Sequence, residues 1–242
     1  MGIGEEALLK GLDFRMVWGG LFGFAAGSLA FLFLERIPEA WLKESWEDGF
    51  ERRKAGKGLG LLMTAFLSVA GIAAEGECRG LLLTALTLLT QAAACDVLYQ
   101  VLPDQHTVMI AVLGMGAALL NGGGAAPVPA PIGELAPDLG PAECGIWPAL
   151  WGGLLCLLAA LCLWLPELHP RGKALLGLGD VKLFGALGIL AGSWAAGLQI
   201  LLASFVIHGI LCGAGLLSGR LKLQSEAAMG PAICLAAALV LL

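Results

Sequence analysis

Residues 181–217 read VKLFGALGILAGSWAAGLQILLASFVIHGILCGAGLL, and Lys182 is the only charged residue among them. As a single helix this run would be about 55 Å long, since an α-helix rises about 1.5 Å per residue. The hydrocarbon core of a bilayer is only about 30 Å thick. The run is therefore predicted to form two membrane helices, joined by a turn at residues 192–194, where Gly, Ser and Trp follow one another.

The rest of the chain has the same apolar character. Of its 242 residues, 58% are hydrophobic and 14% are charged, whereas soluble domains carry about 25% charged residues. These proportions predict an all-α fold, a polytopic membrane bundle of about eight transmembrane helices that forms a single domain over residues 1–242. The lipid bilayer is its expected environment, and the net charge of −5 does not favour nucleic-acid binding. The other apolar blocks are 16–34, 58–74, 80–97, 105–120, 146–165 and 229–242.

The basic residues fall mainly on one side of this eight-helix arrangement. One set of alternate loops holds eleven of the fourteen Lys and Arg residues, and the other holds only Lys10, Arg15 and Arg79. Because loops rich in Lys and Arg stay in the cytoplasm, both termini are expected outside. Residues 37–57 are then a short cytoplasmic loop, and the Pro-, Gly- and Ala-rich residues 121–144 are an extracytoplasmic loop.

Glycines are spaced regularly in the first apolar block. Gly19, Gly23 and Gly27 recur every four residues, so they lie on one face of a helix. Small residues at this spacing let membrane helices approach closely. We expect this face to pack against another helix.

Two aspartates lie in or beside apolar blocks. Asp96 comes about two helical turns before Pro103, and Asp180 opens the long run that begins at residue 181. Ionisable groups at membrane depth are costly and indicate function, and both are expected at the cytoplasmic ends of their helices. Two carboxylates in a partly desolvated pocket share one proton, so one acts as a base and the other as an acid. This is the chemistry of aspartic proteolysis, which needs no metal and no cofactor.

The same residues allow other interpretations. Asp180 is also a candidate helix N-cap, and Asp104, between a proline and an apolar block, fits an N-cap better still. His208 is typical of an intramembrane hydrogen-bonding residue, and His106 of a loop residue with no partner pattern. A proton-coupled transporter that uses Asp96 is a further alternative, but the chain shows none of the internal repeats common in transporters.

Two segments around these aspartates resemble motifs of the type IV prepilin peptidases. Asp96 is followed after six residues by Pro103 and Asp104, with Thr107 beyond, which is similar to the D-x6-P-D-x-x-T segment of that family. Residues 177–182, GLGDVK, are similar to its GxGDxK motif. A GxGD sequence alone is weak in so Gly-rich a chain, but here the two motifs occur together.

Two further segments strengthen the resemblance. Residues 23–38 are similar to the first-helix pattern of the family, in which G-x3-G-S ends in R-x-P. Residues 228–233, AMGPAI, are similar to its C-terminal F-G-P segment. All four segments occur in the order found in the family and extend over nearly the whole chain.

The resemblance implies an eight-helix GxGD aspartyl protease in the plasma or inner membrane of a prokaryote. Such an enzyme removes the short basic leader of prepilins or pseudopilins at the cytoplasmic face, and its catalytic pair would be Asp96 and Asp180. An intramembrane protease of the signal-peptide-peptidase type is the alternative, although its YD pair and PAL motif are not matched here. The supporting motif positions are Asp104, Lys182, Gly177 and Gly179.

The chain departs from many prepilin peptidases in one respect. Those members carry a larger cytoplasmic domain with two zinc-binding CxxC pairs and an associated N-methyltransferase activity. Residues 37–57 contain no Cys, and none of the seven Cys of the chain forms a CxxC pair. We therefore expect a peptidase without a metal site, without S-adenosylmethionine and without methyltransferase activity.

Overall fold

The computed structural model describes residues 14–38, 54–74, 79–120, 145–168, 176–219 and 227–242. Over these ranges the chain forms eight α-helices and no β-strand, which confirms the predicted all-α fold. The predicted loop 121–144 and most of the predicted loop 37–57 lie outside the described residues. The helices are α1 (Phe14–Leu34), α2 (Lys57–Ala73), α3 (Arg79–Tyr99), α4 (Asp104–Leu120), α5 (Ile146–Trp164), α6 (Leu178–Leu190), α7 (Trp194–Leu217) and α8 (Gly230–Leu241), with a 3-10 turn (Leu165–Leu168) after α5.

Four helices, α1, α3, α5 and α7, are long and apolar enough to cross a membrane. Helices α2, α4 and α8 are also apolar but shorter, with 17, 17 and 12 residues. The outer surface carries large exposed apolar side chains, among them Phe22, Trp151 and Ile210. Such a surface fits lipid better than water, so the chain is a polytopic helical membrane protein.

The turn predicted within residues 181–217 is present. Helix α6 ends at Leu190, Gly192 adopts a φ of +69°, and α7 begins at Trp194. The hydroxyl of Ser193 accepts a hydrogen bond of 3.3 Å from the N–H of Ala196 and so caps α7. Glycine reaches positive φ at no steric cost, and Ser is a favoured N-cap. These two properties explain where the long apolar run divides.

Helices α1 and α2 pack closely through glycines. A Cβ at Gly23 would overlap the backbone carbonyl of Leu67 in α2. A Cβ at Gly27 would lie 2.5 Å from the Cα of Thr64, also in α2. From the other side, Gly71 of α2 lies against the carbonyl of Gly19. Two backbones approach this closely only where side chains are absent. The predicted packing face on the first helix is confirmed.

Helix α3 is the most enclosed of the four long helices. The buried share of its span is 61%, against 28% for α1 and α5 and 17% for α7. It contacts α1, α2, α4 and α8, while α6 is surrounded by α4, α5 and α7. Helix α4 contacts both α3 and α6. It therefore helps to hold the end of α3 beside the start of α6.

Candidate active site

A cavity of about 470 Å³ lies where α3 ends and where α4 and α6 begin. Its lining consists of Asp96, residues 100–104, residues 177–180 and Lys182. Three carboxylates and one ammonium group therefore face the same space. The cavity brings together the two predicted catalytic residues and the four predicted supporting residues, which are Asp96, Asp180, Asp104, Lys182, Gly177 and Gly179.

Asp96 projects from the last turn of α3. The residue is 8% exposed, which is unusual for a carboxylate. Its Oδ2 accepts a hydrogen bond of 2.6 Å from the backbone N–H of Gly230, the first residue of α8. A Cβ at Gly230 would lie 2.9 Å from that oxygen. The AMGPAI segment thus supplies a backbone donor, at a position where a larger residue would collide with the carboxylate.

Asp180 is the third residue of α6. The N-cap position is taken by Gly177, with φ −71° and ψ 151°, so the interpretation of Asp180 as an N-cap is wrong. The helix begins before the aspartate, and its first turn directs the carboxylate into the cavity. Oδ1 of Asp180 is buried and has no hydrogen-bond partner, although unpaired buried polar atoms are costly. Asp180 is also near enough to Asp96 for the two charges to act on each other.

Gly179 makes room for the opposite wall of the cavity. A Cβ there would lie 3.2 Å from Cβ of Leu102, in the connection between α3 and α4. A larger residue would push this connection away from α6. Gln100, at the start of the connection, has a φ of +55°, which is uncommon for a residue other than glycine, and such conformations cluster at functional sites. No feature of the sequence indicates this conformation.

Asp104 and Lys182 form an ion pair on the cavity wall. The Nζ of Lys182 donates to both carboxylate oxygens of Asp104, at 2.9 and 2.7 Å. The side chains are 46% exposed for Lys182 and 47% for Asp104. Asp104 is the first residue of α4, and both oxygens of its carboxylate are bound by a residue of another helix. The interpretation of Asp104 as a helix cap therefore misses the contact that its side chain makes.

These residues lie in a part of the chain that matches a known protein family. A model of the type IV leader peptidase family matches residues 83–213, more than half of the chain, including Asp96, Asp104, Asp180 and Lys182. The chain belongs to the type IV leader peptidase family. As a member it is a membrane-embedded peptidase of the aspartic type with prepilin-type substrates, and the resemblance to prepilin peptidases is confirmed. No curated protein and no solved structure matches the chain.

A polar contact in this leader peptidase joins three helices. Nε2 of His106, buried in α4, lies 3.3 Å from Oε1 of Gln91 in α3. The Nε2 of Gln91 donates a hydrogen bond of 3.2 Å to the backbone carbonyl of Ala30 in α1. The interpretation of His106 as a loop residue is wrong, because α4 begins two residues earlier, at Asp104. The contact braces α3, which carries Asp96, against α1 and α4.

His208 of the leader peptidase is a hydrogen-bonding residue, as its position in an apolar run predicts. Its Nε2 lies 3.4 Å from Sγ of Cys212, one turn further along α7. The sequence does not indicate that His208 is also near enough to Asp96 to act on it electrostatically. Helix α7 therefore contributes a histidine whose electrostatic effect reaches the candidate site.

No group of three or more His, Cys, Asp or Glu side chains in the described ranges is arranged to hold a metal ion. The cysteines in this part of the leader peptidase are free thiols: Cys95, Cys156, Cys162, Cys212 and Cys234. Cys78 and Cys144 lie outside the described residues.

Proposed function

We propose that this peptidase removes the basic leader of type IV prepilins or pseudopilins, with Asp96 and Asp180 as its catalytic residues. The observation that carries the proposal is the presence of both carboxylates on one cavity, supplied by different helices. The two residues lie on segments that resemble the family motifs. One oxygen of Asp180 also lacks any hydrogen-bond partner, as expected for a group whose ligand is a water molecule or a substrate atom.

The hydrogen bonds favour different roles for the two carboxylates. The N–H of Gly230 donates to Oδ2 of Asp96, and such a donor stabilises the ionised form of a carboxylate. Asp96 has a second backbone donor at Met229, whereas Asp180 has a single backbone donor at Gly177 and none at its Oδ1. Asp180 is then the better carrier of the shared proton. Asp96 is therefore the base at the start of the reaction, and Asp180 is the acid.

The reaction follows from these roles. Asp96 takes a proton from a water molecule as the water oxygen attacks the carbonyl carbon of the scissile peptide bond. Asp180 gives its proton to the carbonyl oxygen, which produces a neutral tetrahedral intermediate. When the intermediate collapses, the carbon–nitrogen bond breaks, the amide nitrogen receives the proton held by Asp96, and Asp180 recovers a proton from the intermediate.

The cavity wall suits an extended peptide. Residues 101–103 have no regular secondary structure, and the described chain shows no backbone–backbone hydrogen bond from Val101 or Leu102. Backbone N–H and C=O groups that lack a backbone partner can bind the backbone of an extended peptide, as in strand addition. A substrate segment that lies along Val101 and Leu102 would have its backbone next to the two aspartates.

We propose that this cavity of the peptidase faces the cytoplasmic side of the plasma or inner membrane. The support is the distribution of Lys and Arg along the sequence, since eleven of the fourteen belong to the set of loops that the eight-helix arrangement predicts on the side of Asp96 and Asp180. The leader of the substrate would then be cut before it leaves the cytoplasm. We further propose that residues 1–242 form a single peptidase domain, with a short loop at 37–57 and no methyltransferase activity or cofactor.

The direct test is to incubate the purified full chain in detergent with a prepilin and to follow both products by mass spectrometry. We expect one cut between the basic leader and the apolar segment, without added metal. The resemblance to prepilin peptidases implies a cut after a Gly, so a matched prepilin in which a bulky residue replaces this Gly should resist cleavage. An unchanged prepilin, with a known prepilin peptidase active in the same assay, would contradict the proposal.

A further inference from the structure

We propose that Asp104 and Lys182 act as a charge-masking pair, in which each residue cancels the effect of the other on the proton shared by Asp96 and Asp180. This inference rests on the proposed function, since it concerns the protonation of the catalytic pair. It assigns to both residues a positioning role for a proton and not direct contact with the reacting atoms.

The geometry places two full charges beside the catalytic pair. Asp104 and Lys182 line the same cavity as Asp96 and Asp180, and Lys182 follows Asp180 by two residues on α6. The ammonium group of Lys182 is bound to both oxygens of Asp104 at 2.9 and 2.7 Å. The opposite charges of the pair sum to zero, and because they lie so close together the field of the pair falls off much faster than that of either member alone.

Stability gives little reason for this ion pair. Both side chains are about half exposed, and exposed pairs contribute little to folding because water screens them and because two long side chains lose freedom. Helices α4 and α6 are already in close contact near Gly114, where a Cβ would lie 2.6 Å from the Cα of Leu190. The two helices therefore have a close contact that does not depend on the ion pair.

The catalytic pair is sensitive to an unbalanced neighbour. A lone ammonium group on the wall would favour the doubly ionised state of Asp96 and Asp180, which lacks the acid. A lone carboxylate would favour the doubly protonated state, which lacks the base. When Asp104 and Lys182 form their ion pair, neither charge shifts the protonation of Asp96 and Asp180. The catalytic pair then keeps the singly protonated state that has both an acid and a base.

The other titratable groups around the catalytic pair are the same in the wild-type chain and in variants at positions 104 and 182. Glu35 and Arg36 at the end of α1, and Lys54 and Lys57 at the start of α2, do not line the cavity. Apart from Arg79, the first residue of α3, the other titratable side chains on α3, α4, α7 and α8 are Cys95, Tyr99, His106, His208, Cys212 and Cys234.

The test uses Asp104→Asn, Lys182→Gln and the double variant, each as the purified full chain, with kcat/KM for prepilin cleavage measured against pH. Asp104→Asn leaves the ammonium group of Lys182 without its carboxylate partner. Both the acidic and the basic limb of the pH profile should then move to lower pH, by about 0.5 to 1 pH unit. Lys182→Gln leaves the carboxylate unbalanced, so both limbs should move to higher pH by a similar amount. The double variant should return the limbs to their wild-type positions.

The outcomes separate this role from the alternatives. A structural latch would lower the thermal midpoint of all three variants and leave the limbs in place, and a substrate contact would raise KM without moving them. Either result contradicts the charge-masking pair, as do limbs that move in the same direction in both single variants. Absence of cleavage by the wild-type chain at every pH would contradict the proposed function and this inference with it, whereas wild-type cleavage with unmoved limbs contradicts the inference alone.

Discussion

The backbone N–H of Gly230 donates a hydrogen bond of 2.6 Å to Oδ2 of Asp96, across 134 positions of sequence. The first residue of α8 thus orients a carboxylate at the end of α3. Any residue except proline at position 230 would keep this N–H donor. A side chain there, however, would push the carboxylate of Asp96 away from it. The glycine is therefore required by the space around Asp96.

Replacement of Gly230 by Ala should disrupt the catalytic carboxylate. The new Cβ would lie 2.9 Å from Oδ2 and 3.0 Å from Cβ of Asp96, so Asp96 must move. A misplacement of about 1 Å costs about 10²-fold in rate, and we expect a loss of that order in prepilin cleavage. Gly213→Ala in α7 is the matched control, because a Cβ there meets no atom within 4 Å. Equal rates for the two variants would show that Gly230 does not position Asp96.

The contact of α1 with α2 makes a separate prediction about stability. In Gly23→Ala the added Cβ would overlap the carbonyl of Leu67, and the helices must separate. Overpacking of this kind costs about 1–3 kcal/mol, so the thermal midpoint in detergent should fall. Gly58→Ala in α2 is the control, since its Cβ would have no neighbour within 4 Å. A midpoint of Gly23→Ala that matches the control would be inconsistent with close packing at this position.

The division of the run 181–217 into two helices was predictable from its length and composition. The run 181–217 is too long for one span, and its Gly-Ser-Trp sequence contains both a residue suited to positive φ and an N-cap. The start of α6 was not predictable, because Gly177 and Gly179 are poor helix formers and Asp180 has the character of a cap. The helix nevertheless begins at Leu178, where packing of the apolar residues that follow outweighs local preference.

The residues of the candidate site were predictable as types but not as partners. Asp96 and Asp180 are recognisable because a carboxylate in an apolar helix is costly and therefore indicates a function. Their neighbours depend on contacts between distant segments, such as Lys182 with Asp104 and His106 with Gln91. Such pairs have no signature in one sequence, since any exposed Asp or buried Gln would serve equally well as a partner.

Membrane orientation is open to a direct measurement. With eleven Lys and Arg residues in one set of loops, a reporter fused at residues 218–225 should be cytoplasmic and a reporter within 122–144 extracytoplasmic. A dual phosphatase and fluorescence reporter distinguishes the two sides in cells. Two fusions that report the same side would contradict the alternating arrangement of helices and the cytoplasmic position of the cavity.

The catalytic assignment makes the sharpest prediction. Asp96→Asn and Asp180→Asn each remove a proton carrier, and a general acid or base contributes about 10² to 10⁴ in rate, so each variant should lose cleavage to that extent or more. The Asn side chain at position 96 still offers an oxygen to the N–H of Gly230, so insertion and the thermal midpoint should remain near the wild-type values. Because the two carboxylates act as one unit, the double variant should be scarcely slower than either single variant. Near-normal cleavage by Asp96→Asn in a full chain of normal stability would show that the base is another residue, even within a leader peptidase.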